Sequence, residues 1–357
     1  MKRCTWFFIL SWFVHGASIG LGQGSEHVGL MHEGMDEYRV GHLANAETLF
    51  NKALASAEVH GEIDAVAVIL NWLGEIYLYE ERFRKSEQAY QRALSIFRRN
   101  PSRKTEVALT LRNLGSVYSL QRRDREAITV LKEALKLIAY TAAQRELTAG
   151  ISNAIGVSYF RQQEFGKAES SINQALQLAM ATGETDVVSR AFNNLGLIYW
   201  KRRKYDKAEA AYKSSLDITE RSLGKLHPDV AVTRVNLGIV YTETNRFEDA
   251  QDQFLRSLSI TEQINPVVEG RVFRILHRLG IAYLGNGKKT EAERVLERAV
   301  QIALHNPDID TEIPAVFEIY SNVLKDAGKL HESRAFHAQA QRIRAESKLT
   351  VRAQSLK

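Results

Sequence analysis

Apolar and small residues recur along this chain at helical spacing. Leu73 and Tyr77 lie four apart and so share one helix face. Ser86, Tyr90 and Ala93 fall at i, i+4 and i+7, the apolar stripe of a second helix. The short charged stretch Glu80-Glu81-Arg82 separates them, as Arg122-Arg123-Asp124 does further on. No run alternates as a half-buried strand would, so the pattern predicts an all-α chain of helical hairpins.

The hairpin repeats. Leu73-Gly74 with Tyr77 returns as Leu114-Gly115 with Tyr118, Ile155-Gly156 with Tyr159, Leu195-Gly196 with Tyr199, Leu237-Gly238 with Tyr241 and Leu279-Gly280 with Tyr283. Successive glycines are 40 to 42 residues apart. Nine residues after each Tyr stands a small residue (Ser86, Ala127, Ala168, Ala208, Ala250, Ala292), and seven further on another. Gly34 with Ala46 and Ala53 makes a degenerate first copy, and Ser321 with Ser333 and Ala340 a degenerate last one. Eight copies, centred near Gly34, Gly74, Gly115, Gly156, Gly196, Gly238, Gly280 and Ser321, thus cover residues 27–345. Atypical end copies suit units that face water on one side. One copy cannot bury its apolar face alone, so neighbours must stack. The glycines and small residues are expected to permit close helix approach, and the tyrosines to fill the space between paired helices.

Composition narrows the function. The chain has 357 residues, 45% hydrophobic and 25% charged, with 5 Pro. That is a folded composition. Its formal charge of +6 is too small to point to nucleic acid. A single Cys excludes an intramolecular disulfide and a Cys-built zinc site. Met1-Lys2-Arg3 followed by an apolar run to Val14 and small residues from Gly16 to Gly24 is expected to be a signal peptide over residues 1–22, directing the chain to the periplasm or outside the cell. The alternative is an uncleaved membrane anchor, and membrane contact is expected only in that case. Residues 346–357 read as a polar, frayed tail.

These motifs resemble the tetratricopeptide repeat, whose pattern is L-G-x-x-Y in helix A and small residues at two fixed offsets in helix B. The usual unit is 34 residues. The longer unit here is similar to kinesin light chain repeats, as is the stretch Leu223-Gly224-Lys225-Leu226-His227-Pro228-Asp229-Val230-Ala231. The resemblance implies a right-handed α-solenoid of about eight hairpins, a concave groove lined by helix A, and a non-catalytic scaffold that binds a protein or peptide there. The alternative is a structural subunit that assembles through its ends or a basic edge, with the groove empty.

Groove candidates are helix A side chains not spent on packing: Asn113, Asn153, Asn193, Asn194, Asn236, Arg190, Arg274, Arg278 and Trp200, with Asn71, Trp72, Arg112 and His277 at related positions. An amide can both donate to and accept from a ligand backbone. Ile239 and Leu197 occupy two positions where the family's carboxylate clamp needs a cation, so that clamp is not expected. A basic edge is drawn from the A–B turns: Arg122, Arg123, Arg161, Lys201, Arg202 and Arg203. No HExxH, phosphate loop or nucleophile elbow is present, and Gly20-x-Gly22-x-Gly24 follows the apolar leader, not a strand. The expectation is no catalysis, no cofactor, no metal and no small-molecule substrate.

Overall fold

A computed structural model describes residues 26–138, 144–264, 268–307 and 309–354, with side chains through Glu346. The signal segment 1–22 and Cys4 lie outside the described residues. Among those described, the chain is all helix, sixteen helices without a strand. Contacts divide it into two units that meet in sequence between Ala191 and Phe192.

The N-terminal unit holds hairpins α1 (Glu26–Arg39) with α2 (Leu43–Val59), α3 (Ile63–Tyr79) with α4 (Phe83–Phe97), α5 (Lys104–Leu120) with α6 (Asp124–Leu137), and α7 (Arg145–Arg161) with α8 (Phe165–Thr182). Helices α2, α4 and α6 each also pack on the next helix A. Helix A is therefore enclosed: in α3, every residue from Ala65 to Ile76 is buried. A helix apolar on all sides is one sandwiched between neighbours. Trp72 is part of this core, stacked on Phe50 at 5.7 Å and edge-on to Tyr38 at 5.6 Å.

The C-terminal unit begins within α9 (Thr185–Lys201). It continues with α10 (Tyr205–Leu223), α11 (Pro228–Glu243) with α12 (Phe247–Gln263), α13 (Glu269–Gly285) with α14 (Lys289–His305), and α15 (Ile313–Asp326) with α16 (Leu330–Gln354). One apolar core runs from Ala208 to Ala340 through Tyr212, Phe254, Phe273, Leu296 and Phe317. The last helix extends to Gln354, so most of the segment read as a frayed tail continues α16.

The recurring glycine makes each hairpin tight. A Cβ at Gly74 would sit 2.7 Å from the Tyr90 ring, at Gly115 2.7 Å from Leu131, at Gly238 2.6 Å from Phe254 and at Gly280 2.7 Å from Leu296. Each clash is with helix B of the same hairpin, sixteen residues on. The A–B turn is equally regular. Glu81, Arg122, Gln163, Arg203 and Asn245 adopt left-handed backbone, as Gly41, Gly287 and Gly328 do at the same place in other copies. The next residue donates its N–H to the carbonyl five back: Arg82 to Tyr77 at 2.8 Å, Arg123 to Tyr118 at 2.8 Å and Arg246 to Tyr241 at 2.8 Å. This is the Schellman closure of a helix C-terminus.

Candidate functional site

In the N-terminal unit, the helix A side chains fall into two sets. Asn71 is buried and donates to Thr110 Oγ1 in the next copy at 3.0 Å. Asn113 is also buried, and its Oδ1 accepts from Arg112 Nη2 at 3.1 Å. Both groove candidates thus bind neighbouring parts of the protein. Asn153 is half-buried and has a partner within the protein.

The second set is charged. Buried Glu75 accepts from the Tyr90 hydroxyl at 2.9 Å, and burial raises its carboxyl above the ordinary range. Burial pulls the Arg112 guanidinium down, while the charges of Glu75 and Glu146 hold it up. The Glu146 carboxyl is pushed up to about 7, first by desolvation and then by Glu184 and Asp186, against the pull of Arg112. Desolvation raises Glu184 as well. Arg190 reaches Asp186 at 2.8 Å and remains 42% exposed. Helices α5, α7 and α9 thus bring charges of both signs onto the helix A side of this unit. Such a surface can pair with a partner of complementary charge.

In the C-terminal unit, Asn236 Nδ2 donates to Asn193 Oδ1 at 3.0 Å, joining helices A of adjacent copies. Asn194 has a partner within the protein. Trp200 is half-buried against the core, with Lys201 Nζ 4.5 Å from its ring. The segment before α15 reaches back to α13: Glu312 accepts from Arg278 at 3.0 Å and pairs with His277 Nδ1 at 2.9 Å, and Asp310 lies 3.5 Å from Arg274. His277 is buried, which lowers its imidazole below the ordinary range. Arg274 stays 57% exposed and Arg278 38%.

The turn cations are largely committed to a ladder between copies. Arg82 lies 4.4 Å over the Tyr77 ring and reaches Glu47 of the preceding helix B at 2.6 Å. Arg123 lies 4.1 Å over Tyr118 and reaches Glu87 at 2.8 Å. In the C-terminal unit, Arg246 lies 4.2 Å over Tyr241 and reaches Glu209 at 2.8 Å. Arg161 pairs with Asp124 at 2.6 Å. Of the basic-edge candidates, Arg123 and Arg161 are therefore paired locally. Arg122, Lys201 and Arg203 are exposed, and Arg202, also exposed, has a partner within the protein. Aligning the copies at their glycines would reveal the ladder, since its acid directly follows the small residue of helix B and its cation precedes the next one by four.

Among the described residues, no cluster of three or more His, Cys, Asp or Glu could hold a metal ion. No described helix is long and apolar enough to cross a membrane.

Two models described as tetratricopeptide repeat match the chain, one over residues 65–138, 147–220 and 187–263, the other over 272–305. Curated proteins give no sequence match. Among solved structures, the apo form of RapI is 14% identical, with 93% of this chain and 89% of that one covered, at a TM-score of 0.65. BtubC (BKLC) from P. vanneervenii is 23% identical over 63% of this chain and 92% of that one, at 0.57. A putative kinesin light chain with nearly identical TPR-like repeats, from Podosopora anserina, is 16% identical over 59% and 99%, at 0.48.

Proposed function

Since the chain belongs to the tetratricopeptide repeat family and is by that membership a protein-interaction scaffold, we propose that it binds a protein or peptide partner along its helix A faces. One observation carries this. Helix A residues near the hairpin contacts are buried, whereas Arg190, Arg274 and Arg278 one face over stay 38% to 57% exposed. Cations held by a carboxylate yet open to solvent can exchange that partner for an acidic group on a ligand. Asn236 donates to Asn193 across two adjacent helices A, so this pair acts on binding through the alignment of its two copies.

Capture on the full chain from the native source, followed by mass spectrometry, identifies the partner. Its affinity for Arg190→Glu and for Arg274→Glu chains then tests the helix A face of each unit separately. A tenfold or greater loss with an unchanged melting temperature is expected. Unchanged affinity, with loss of association on deleting the last hairpin, would favour the structural alternative. We further propose that the chain is exported, on the strength of its basic and apolar leader; N-terminal sequencing of the native protein checks this.

A further inference from the structure

The copies serve as templates for one another, and one of them departs from the rest in the ladder of turn cations and helix B carboxylates. In the C-terminal unit, Glu209 accepts from three donors: Lys213 at 2.7 Å, Arg246 at 2.8 Å and the Tyr241 hydroxyl at 3.2 Å. The equivalent positions around Tyr159 in the N-terminal unit are Ile128 for Glu209, Lys132 for Lys213 and Glu164 for Arg246. The acceptor carboxylate is gone. Lys132 and Lys167 both stand 5.4 Å from the Tyr159 ring centre. Lys167 is paired with Glu164, but Lys132 makes no ion pair among the described residues.

A cavity of about 280 Å³ opens there between α6, α7 and α8. Its donors are Lys132, Lys167, Ser152, Ser170, Ser171 and Gln174. Ser152 explains part of the space. Its position, four before the glycine, holds buried Leu70, Leu111 and Leu276 in other copies. Ser152 is only 1% exposed, and its Oγ has no hydrogen-bond partner. A buried hydroxyl without a partner costs stability and is satisfied when an acceptor arrives.

We propose that this cavity is an anion site that takes a phosphoryl group. The unpaired Lys132 ammonium, three hydroxyls and an amide, with Lys167 shared with Glu164, offer more donors than one carboxylate can use, and a phosphoryl group brings three acceptor oxygens and up to two negative charges. The group stands where Glu209 stands in its own copy, completing the interrupted ladder from outside. Inorganic phosphate and a phosphorylated residue of a partner share this chemistry.

The test titrates the full chain with inorganic phosphate at constant ionic strength in chloride, read by calorimetry and by ³¹P linewidth. Saturable binding of one phosphate per chain is expected. Lys132→Gln, Ser152→Leu and Ile128→Glu should each weaken it at least tenfold with unchanged helical circular dichroism; the last installs the internal carboxylate of the Glu209 copy. A phosphoserine peptide binding tenfold tighter than inorganic phosphate supports the site with a modified protein as its source, and equal binding supports it with free phosphate. Non-saturable binding, equal binding of acetate, or affinity indifferent to all three substitutions overturns it.

Discussion

At the scale of single residues, α7 contains an internal experiment. Gly150 and Gly156 lie on the same helix, but a Cβ at Gly150 meets nothing within 4 Å, whereas one at Gly156 would collide with Ile172 and crowd the Ala168 carbonyl. Mid-helix glycine ordinarily costs about 0.5–1 kcal/mol relative to alanine. Gly150→Ala should therefore raise stability by about that amount in urea melts. Gly156→Ala should lower it by about 1–3 kcal/mol through overpacking. Equal effects at the two sites would show that the hairpin contact is not what selects glycine. Glu146 supplies a second residue-level prediction. Its folded pKa of about 7 exceeds the ordinary value of 4.5. Between those values the folded chain keeps a proton that the unfolded chain releases, so its contribution to stability is greatest at low pH and declines up to about pH 7. Glu184 acts in the same direction, and buried His277 in the opposite one, since its lowered pKa costs stability as pH falls through the imidazole range. The comparison that isolates Glu146 is Glu146→Gln against the parent chain: the variant should gain melting temperature relative to the parent at pH 8 and lose that advantage at pH 5.

At the scale of elements, the hairpin was legible because its determinants are local. Gly, Tyr and the two small residues sit at fixed offsets within one copy, but the space against the glycine is filled by helix B, by Tyr90, Leu131 or Phe254, and not by the motif tyrosine. That tyrosine turns toward the preceding helix B, as Tyr118 does to Gln91 and Tyr241 to Glu209; its carbonyl closes the helix terminus and its ring carries the turn cation. The ladder was not legible from a single copy, because Arg82 and Glu47, or Arg123 and Glu87, are more than thirty residues apart and each alone looks like a solvated turn charge. The depth of Asn113 and His277 was hidden for a related reason. Burial there depends on what the neighbouring copy or the segment before α15 lays against the helix, as Glu312 does for His277. Turn geometry gives the prediction at this scale. Arg122 holds a left-handed conformation that glycine fills in other copies, at φ 64°. Left-handed backbone costs a non-glycine residue about 1–2 kcal/mol, partly offset by the greater entropy glycine loses on folding. Arg122→Gly is expected to stabilise the chain by about 0.5–1 kcal/mol in denaturant melts, and an unchanged or lowered midpoint would mean the arginine side chain compensates its own strain.

At the scale of the whole molecule, stacked repeats make stability a sum of copies and the interfaces between them. An end copy has one interface instead of two, so its opening should cost less than opening a copy in the middle. The last hairpin makes this testable within the C-terminal unit. Phe336 on α16 packs edge-on to Tyr320 at 5.2 Å and to Phe317 at 5.8 Å on α15, and joins the apolar core from its margin. Phe336→Ala removes most of that contact without touching α11 or α12. If coupling is nearest-neighbour, amide hydrogen exchange in α15 and α16 should quicken at least tenfold, α13 and α14 should respond weakly, and α11 and α12 should be unchanged. If the unit instead melts as one cooperative block, all of these helices would quicken together by the same factor. Because α13 holds Arg274, His277 and Arg278 against Asp310 and Glu312, which lead into α15, the same variant also asks whether a loosened end reaches the helix A face proposed for binding. Nearest-neighbour coupling predicts that partner affinity falls where the face includes α13 and persists where it lies on α5, α7 and the start of α9.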